Sequence, residues 1–204
     1  RVASVAAQGK KYPGIEHWRN GGMILMAGST WSEDEQLLSS CFDKLPADWK
    51  MILAPHEIHE THLAEIERMF GSAVLRYSAL ESGESKKRVL IIDNIGMLSS
   101  LYRYGDIAYV GGGFTSGIHN ILEPAAFGLP VVFGPNHERF MEAEMMLAEG
   151  LAVSVRNKAE LEAVMTNWTC NNRERMDLNE KIKHFMERQQ GATQIVLNHI
   201  DKLF

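Results

Sequence analysis

Short apolar runs alternate with stretches of helical period along almost the whole chain, which is the pattern of βαβ units feeding a parallel sheet. Residues 23–27 read as a buried strand that ends at Gly28-Ser29-Thr30. Ser32 with Glu35 three positions later reads as a capping box opening a helix towards Leu45. Residues 51–54 repeat the strand, Pro55 punctuates it, and Ile58, Leu63, Ile66, Met69 and Phe70 fall at helical spacing. Strands at 73–77 and 88–92 flank a polar loop, 81–87. A helix at 97–104, a strand at 107–110, a helix at 120–127 and a strand at 131–133 follow. A helix at 139–149 stops at Gly150, the last strand is 151–155, and everything from Lys158 onward has helical character.

The fold class is therefore α/β: a Rossmann-like, doubly wound, mainly parallel sheet with flanking helices and a helical C-terminal tail. No internal repeat or Pro/Gly linker splits residues 23–155, so the sheet belongs to one domain. Residues 1–20 carry turn formers and charges with little apolar periodicity and read as a connection arriving from an element upstream. The expected division is a linker at 1–20, a Rossmann-like domain at 21–157, and C-terminal helices at 158–204. With 45% hydrophobic and 23% charged residues among 204, the chain is large enough to bury a core without disulfides. Its formal charge of −5, without a long basic run, argues against nucleic acid as a partner. No apolar run reaches membrane-spanning length, so the chain as it stands reads as soluble. Cys41 and Cys170 lack any ligand spacing and read as reduced thiols.

In such a sheet, ligands bind beyond the carboxyl ends of the strands. The most informative loop there is Gly111-Gly112-Gly113-Phe114-Thr115-Ser116-Gly117-Ile118-His119-Asn120, leading to Glu123-Pro124. Glycines permit close backbone approach, and a helix beginning near His119 aims N–H groups at whatever the loop surrounds, so an anion fits. Glu123, about one turn in, is placed to accept from adjacent hydroxyls such as those of a ribose. The competing reading is a tight turn followed by a first-turn acid favoured by the helix dipole. The loop has neither GxGxxG nor GxxxxGK[ST]. Gly28, Ser29 and Thr30 offer hydroxyls and N–H groups at a second strand end, or simply an N-cap. His56, His59 and His62 are three apart and miss the HExxH spacing, so no metal is expected. Arg76, at a strand end, is either an anion partner or a surface ion pair. No Ser-His-Asp order and no acid–base carboxylate pair emerges.

Ala27-Gly28-Ser29-Thr30, Gly111 to Phe114, His119-Asn120-x-Leu122-Glu123-Pro124-Ala125-Ala126-x-Gly128-x-Pro130-Val131 and Gly134-Pro135 resemble the carboxyl-terminal half of 3-deoxy-D-manno-octulosonic acid (Kdo) transferases. The resemblance runs from Arg1 to about Val155. It implies one half of a glycosyltransferase-B enzyme, the half that binds CMP-Kdo. The whole enzyme would transfer Kdo with inversion to a lipid A precursor in lipopolysaccharide synthesis, at the cytoplasmic face of a bacterial inner membrane. No cofactor or metal is implied. The general base, the acceptor site and the membrane attachment would belong to an amino-terminal domain, so this chain alone is expected to transfer nothing. The implied donor-binding residues are Gly28, Ser29, Thr30, His56, Arg76, Ser78, Met97, Gly111, Gly112, Gly113, Phe114, His119, Asn120 and Glu123, with Glu123 on the ribose and His56 and Met97 beside the cytosine. The chain departs from the family at His56, Gly113 and Arg139, where Arg, Ser and Asn are common. Two other readings stay open: another glycosyltransferase-B enzyme or nucleotide-sugar epimerase using a UDP-sugar, and a non-catalytic nucleotide-binding module.

Overall fold

A computed structural model describes residues 10–80 and 86–200, with side chains through Gln189. Seven strands, β1 (Met23–Thr30), β2 (Trp49–Pro55), β3 (Val74–Arg76), β4 (Val89–Ile91), β5 (Ile107–Val110), β6 (Val131–Phe133) and β7 (Ala152–Ser154), form one sheet. Their order is β3-β4-β2-β1-β5-β6-β7 and every pair is parallel. From central β1 the chain builds outward through β2, then returns to place β5 on the other side. The crevice between the ends of β1 and β5 is thus the topological switch point, where ligands of open α/β sheets bind.

Alternation along β1 feeds two cores. Leu25 and Ala27 face helices α2 (Ser32–Phe42), α3 (Glu60–Phe70), α6 (Met141–Ala148), α7 (Lys158–Cys170) and α8 (Asn172–Ile200). Ile24 and Met26 face α1 (Pro13–Arg19) and the short α4 (Leu98–Leu101) with its 3-10 extension Tyr102–Tyr104. Burying both faces explains the unbroken apolar runs of the central strands. Among the described residues, no helix is long and apolar enough to cross a membrane.

The structure changes three readings of the sequence. The stretch taken as linker contains α1, whose Ile15 and Trp18 are buried in the second core, while residues 1–9 lie outside the described residues. Ser32 is the first residue of α2 rather than its cap. The cap position is Trp31, whose N–H donates to the carboxylate of Asp34, and Glu35 turns inward. The helix expected over 120–127 is the single turn α5 (Leu122–Ala125), because the Asn120 side chain accepts from the Leu122 N–H and starts the helix there. Most of the polar loop at 81–87 and the last four residues also lie outside the description.

Two glycines let the loops at the switch point meet. A Cβ on Gly111 would lie 2.3 Å from the Ser29 carbonyl oxygen, and one on Gly113 would lie 2.6 Å from the Gly134 backbone. Gly111→Ala forces two backbones apart and should cost about 1–3 kcal/mol of stability. Urea unfolding checks this, and a loss below the error of the fit would show that the two loops yield freely.

Candidate functional site

β1 ends irregularly. Its register with β2 shifts between Gly28 and Thr30, and Ser29 stands in the bulge with φ of 53°, a positive value that serine seldom adopts. Such strain is concentrated at functional positions. Ser29 forms one wall of a cavity of about 320 Å³ completed by Gly96, Leu98, Ser99, Tyr102, His119, Asn120 and Glu123. Glu123 is half-buried, and burial raises its carboxyl pKa, opposed only by the Asn120 amide at 3.4 Å. A partly desolvated carboxylate with spare acceptor capacity in a cleft is a candidate ligand contact. His119 and Asn120 also border a second cavity, of about 390 Å³, with Ile118, Ile121, Leu122, Phe140 and Glu142.

Beneath this cavity the first turn of α2 carries two adjacent acids, Asp34 and Glu35, both without solvent exposure. Asp34 accepts from the Gly112 N–H at 2.8 Å, the Tyr109 hydroxyl at 2.7 Å and the Trp31 N–H at 3.0 Å. Glu35 accepts from the Thr30 hydroxyl at 2.9 Å and meets His62 Nε2 at 2.7 Å, while His62 Nδ1 donates to the Glu57 carbonyl at 2.9 Å. Above them the His56 ring lies stacked between Trp31 and His119, with centroids 4.5 and 4.6 Å away. The Trp31 indole N–H donates to His119 Nε2 at 3.2 Å. Burial and the nearby His56 lower the His119 pKa, which agrees with a neutral ring accepting at Nε2.

The structure thus gathers Ser29, His119, Asn120 and Glu123 around one cavity, with Gly28 and Gly111 behind it and His56 at its rim. The seven other expected site residues are placed differently. The Thr30 hydroxyl is buried on Glu35, so its side chain has no access to a ligand. Gly112 N–H is committed to Asp34. Gly113 packs against Gly134, and Phe114 against the same glycine. Met97 is a core side chain, 6% exposed, in the cluster beneath α4. Arg76 sits on edge strand β3, where Glu60 and Glu67 hold its guanidinium at 2.7 to 2.9 Å and raise its pKa further. Ser78 is tied to Asp93 through its N–H and hydroxyl. Asp34, Trp31, Ser99 and Tyr102 went unread. For Asp34 the available signal was three consecutive acids, Glu33-Asp34-Glu35, soon after the strand end Gly28-Ser29-Thr30. Among the described residues no group of three His, Cys, Asp or Glu gathers to hold a metal ion.

Over 151 residues the chain is 32% identical to the 3-deoxy-D-manno-octulosonic acid transferase of Aquifex aeolicus, covering 71% of this chain and 41% of that protein. It is 28% identical over 174 residues to the protein of the same name from Chlamydophila psittaci, covering 83% of this chain and 40% of the relative. The chain therefore spans less than half the length of these curated relatives. Among solved structures it superposes on the C-terminal CMP-Kdo binding domain of WaaA from Acinetobacter baumannii with a TM-score of 0.73 at 20% identity, covering 91% of this chain and 97% of that one. No family model matches the chain.

The His62–Glu35 contact makes stability depend on pH. Nδ1 must carry a proton to donate to Glu57, so the short contact at Nε2 holds one further proton on either partner. Burial raises the Glu35 pKa beyond what His62 and Thr30 lower it. Burial lowers that of His62, but Glu35 and the Glu57 carbonyl outweigh it and the net shift is upward. Both groups thus bind protons more tightly when folded than at their ordinary values of 4.5 and 6.5. Their stabilisation is complete below those unfolded values and is lost as pH rises through the folded ones. The melting temperature should therefore fall as pH is raised above about 6.5, the ordinary His value. Glu35→Gln, which mimics the protonated acid, should flatten the profile. A wild-type melting temperature that climbs over that range would contradict the assignment.

Proposed function

Since the chain belongs with the Kdo transferases, matching them over most of its own length, we propose that it is the donor-binding half of such an enzyme and holds the nucleotide of CMP-Kdo at the β1–β5 crevice. The observation that carries this reading is Glu123, a half-buried carboxylate with one long hydrogen bond, facing a cavity walled by Ser29 and Asn120. Two vicinal ribose hydroxyls supply the donors it lacks. Ser29 and Asn120 offer polar contacts at the same cavity, and the neutral His119 separates it from the second one.

In the complete enzyme the second cavity, beyond His119, would lie towards the sugar, and the acceptor would approach from a facing domain. The acceptor is a lipid A precursor, and transfer inverts the anomeric carbon in lipopolysaccharide synthesis at the cytoplasmic face of a bacterial inner membrane. The general base and the membrane attachment belong to that facing domain, so this chain binds donor without transferring it. Residues 21–157 are the nucleotide-sugar domain, and the helices from 158 brace it, as Leu178, Ile182 and Phe185 already do against the first core.

Titration of the chain with CMP and UMP by calorimetry tests the reading. CMP should bind in preference to UMP, and Glu123→Ala should weaken CMP binding at least tenfold, since hydrogen bonds to a charged acceptor contribute about 1.5–3 kcal/mol each. Preference for UMP would move the assignment to a uridine-nucleotide enzyme of the same fold. Binding indifferent to Glu123→Ala would remove the ribose contact.

A further inference from the structure

We infer that the turn Trp31–Asp34 is a clasp that sets the shape of the nucleotide site, with Asp34 and Trp31 as its positioning residues. The inference rests on the donor-site reading above.

The loop from Gly111 to His119 connects β5 to the cavity wall, and the turn fastens it at both ends. At its start the Gly112 N–H donates to the buried Asp34 carboxylate, and Tyr109 on β5 donates to the other oxygen of the same group. At its end the Trp31 indole donates to His119 Nε2. Between these points the loop folds on itself, the Gly112 carbonyl accepting from Thr115 and Gly117 and the Gly111 carbonyl from His119. His119 and Asn120 follow directly, and Asn120 starts the turn that presents Glu123. The distance across the cavity from Ser29 on one loop to His119 and Glu123 on the other is therefore fixed by residues that do not line it. Both fasteners come from one turn, and that turn follows Ser29 by two residues, so the two walls are referenced to each other.

The three donors around Asp34 specify what each substitution does. Alanine leaves the Gly112 N–H, the Trp31 N–H and the Tyr109 hydroxyl without their shared acceptor. Asparagine keeps an oxygen beneath the two N–H groups, and its amide faces the Tyr109 hydroxyl, which turns to accept. A role confined to stability would lower the melting temperature in Asp34→Ala and leave nucleotide affinity unchanged well below the melt.

Two measurements on the wild-type chain, Asp34→Ala and Asp34→Asn at 10 °C decide the matter: amide exchange at Gly112 without ligand, and CMP affinity. Asp34→Ala should speed Gly112 exchange at least tenfold and weaken CMP binding at least tenfold. Asp34→Asn should restore both to within about threefold of wild type, a loss of no more than about 0.7 kcal/mol at this scale. Ile66→Val, a destabilising change in the core of α3, should move neither. CMP affinity in Asp34→Ala equal to wild type overturns the positioning role. Wild-type chain that binds no CMP overturns the donor-site reading, and the positioning role with it, a result separable from the first because it appears before any substitution. Should Asp34→Ala not fold, Trp31→Phe cuts the other fastener at a half-buried position. Unchanged CMP affinity there overturns the inference equally.

Discussion

The site is governed by the lack of space between the ends of β1 and β5. The Gly111 α-carbon lies so close to the Ser29–Thr30 backbone that no side chain fits between them, and Gly113 meets Gly134 in the same way. Loops that approach at backbone distance have few side-chain contacts to fix their shape. Hydrogen bonds must do so instead, and the acceptors come from below, from the first turn of α2. The bulge at Ser29 follows from the same crowding. It turns one residue out of β1 towards the cavity while Thr30 drops back into the interior against Glu35.

Burying two neighbouring carboxylates is costly, and burial, with a smaller contribution from the adjacent acid, raises the pKa of both Asp34 and Glu35. The fold offsets that cost in two ways. Each acid is met by several donors, and both lie in the first turn of a helix, where the positive end of the dipole favours negative charge. Such arrangements contribute little net stability compared with a well-packed apolar alternative, yet losing one partner is costly. They therefore act on geometry more than on total free energy. Asp34 joins α2 to the loop after β5, and Glu35 joins it through His62 to the loop after β2. The loops after the two strands that flank β1 are thus tied to one helical turn.

The sheet was legible because apolar runs and glycine-ended loops depend on local spacing. So was the gathering of Ser29, His119, Asn120 and Glu123 around one cavity, because they sit at fixed offsets from those glycines. Residues whose roles depend on distant partners were not. Arg76 stands at a strand end, as expected, but its strand is the sheet edge and α3 brings Glu60 and Glu67 to it. Met97 follows a loop but turns into the core under α4. The stretch before residue 20 lacks periodicity, yet Ile15 and Trp18, three apart on one short helix, are enough to dock it. Asp34 was hidden among three consecutive acids. Successive helical residues point about 100° apart, and spacing does not say which of them a neighbouring loop will cover.

The placement of charge also bears on the ligand. Among the described residues neither cavity beside His119 is lined by a lysine or an arginine, Arg76 is committed to carboxylates, Arg139 reaches the Ser116 carbonyl, and His119 accepts from the Trp31 indole. Stabilisation of negative charge at the β1–β5 crevice therefore falls to peptide N–H groups, hydroxyls and amides. Such groups suit a phosphodiester with a single charge better than a pyrophosphate, whose two charges usually draw a basic side chain or a metal ion. A nucleoside monophosphate sugar such as CMP-Kdo would place one charge on the phosphorus between ribose and sugar and a second on the sugar's own carboxylate, so a cleft built from dipoles would answer the first and leave the second to other groups. The constraint that brings the loops to backbone distance also removes the side chain at Gly111 and at Gly113, so no basic group projects from those two positions.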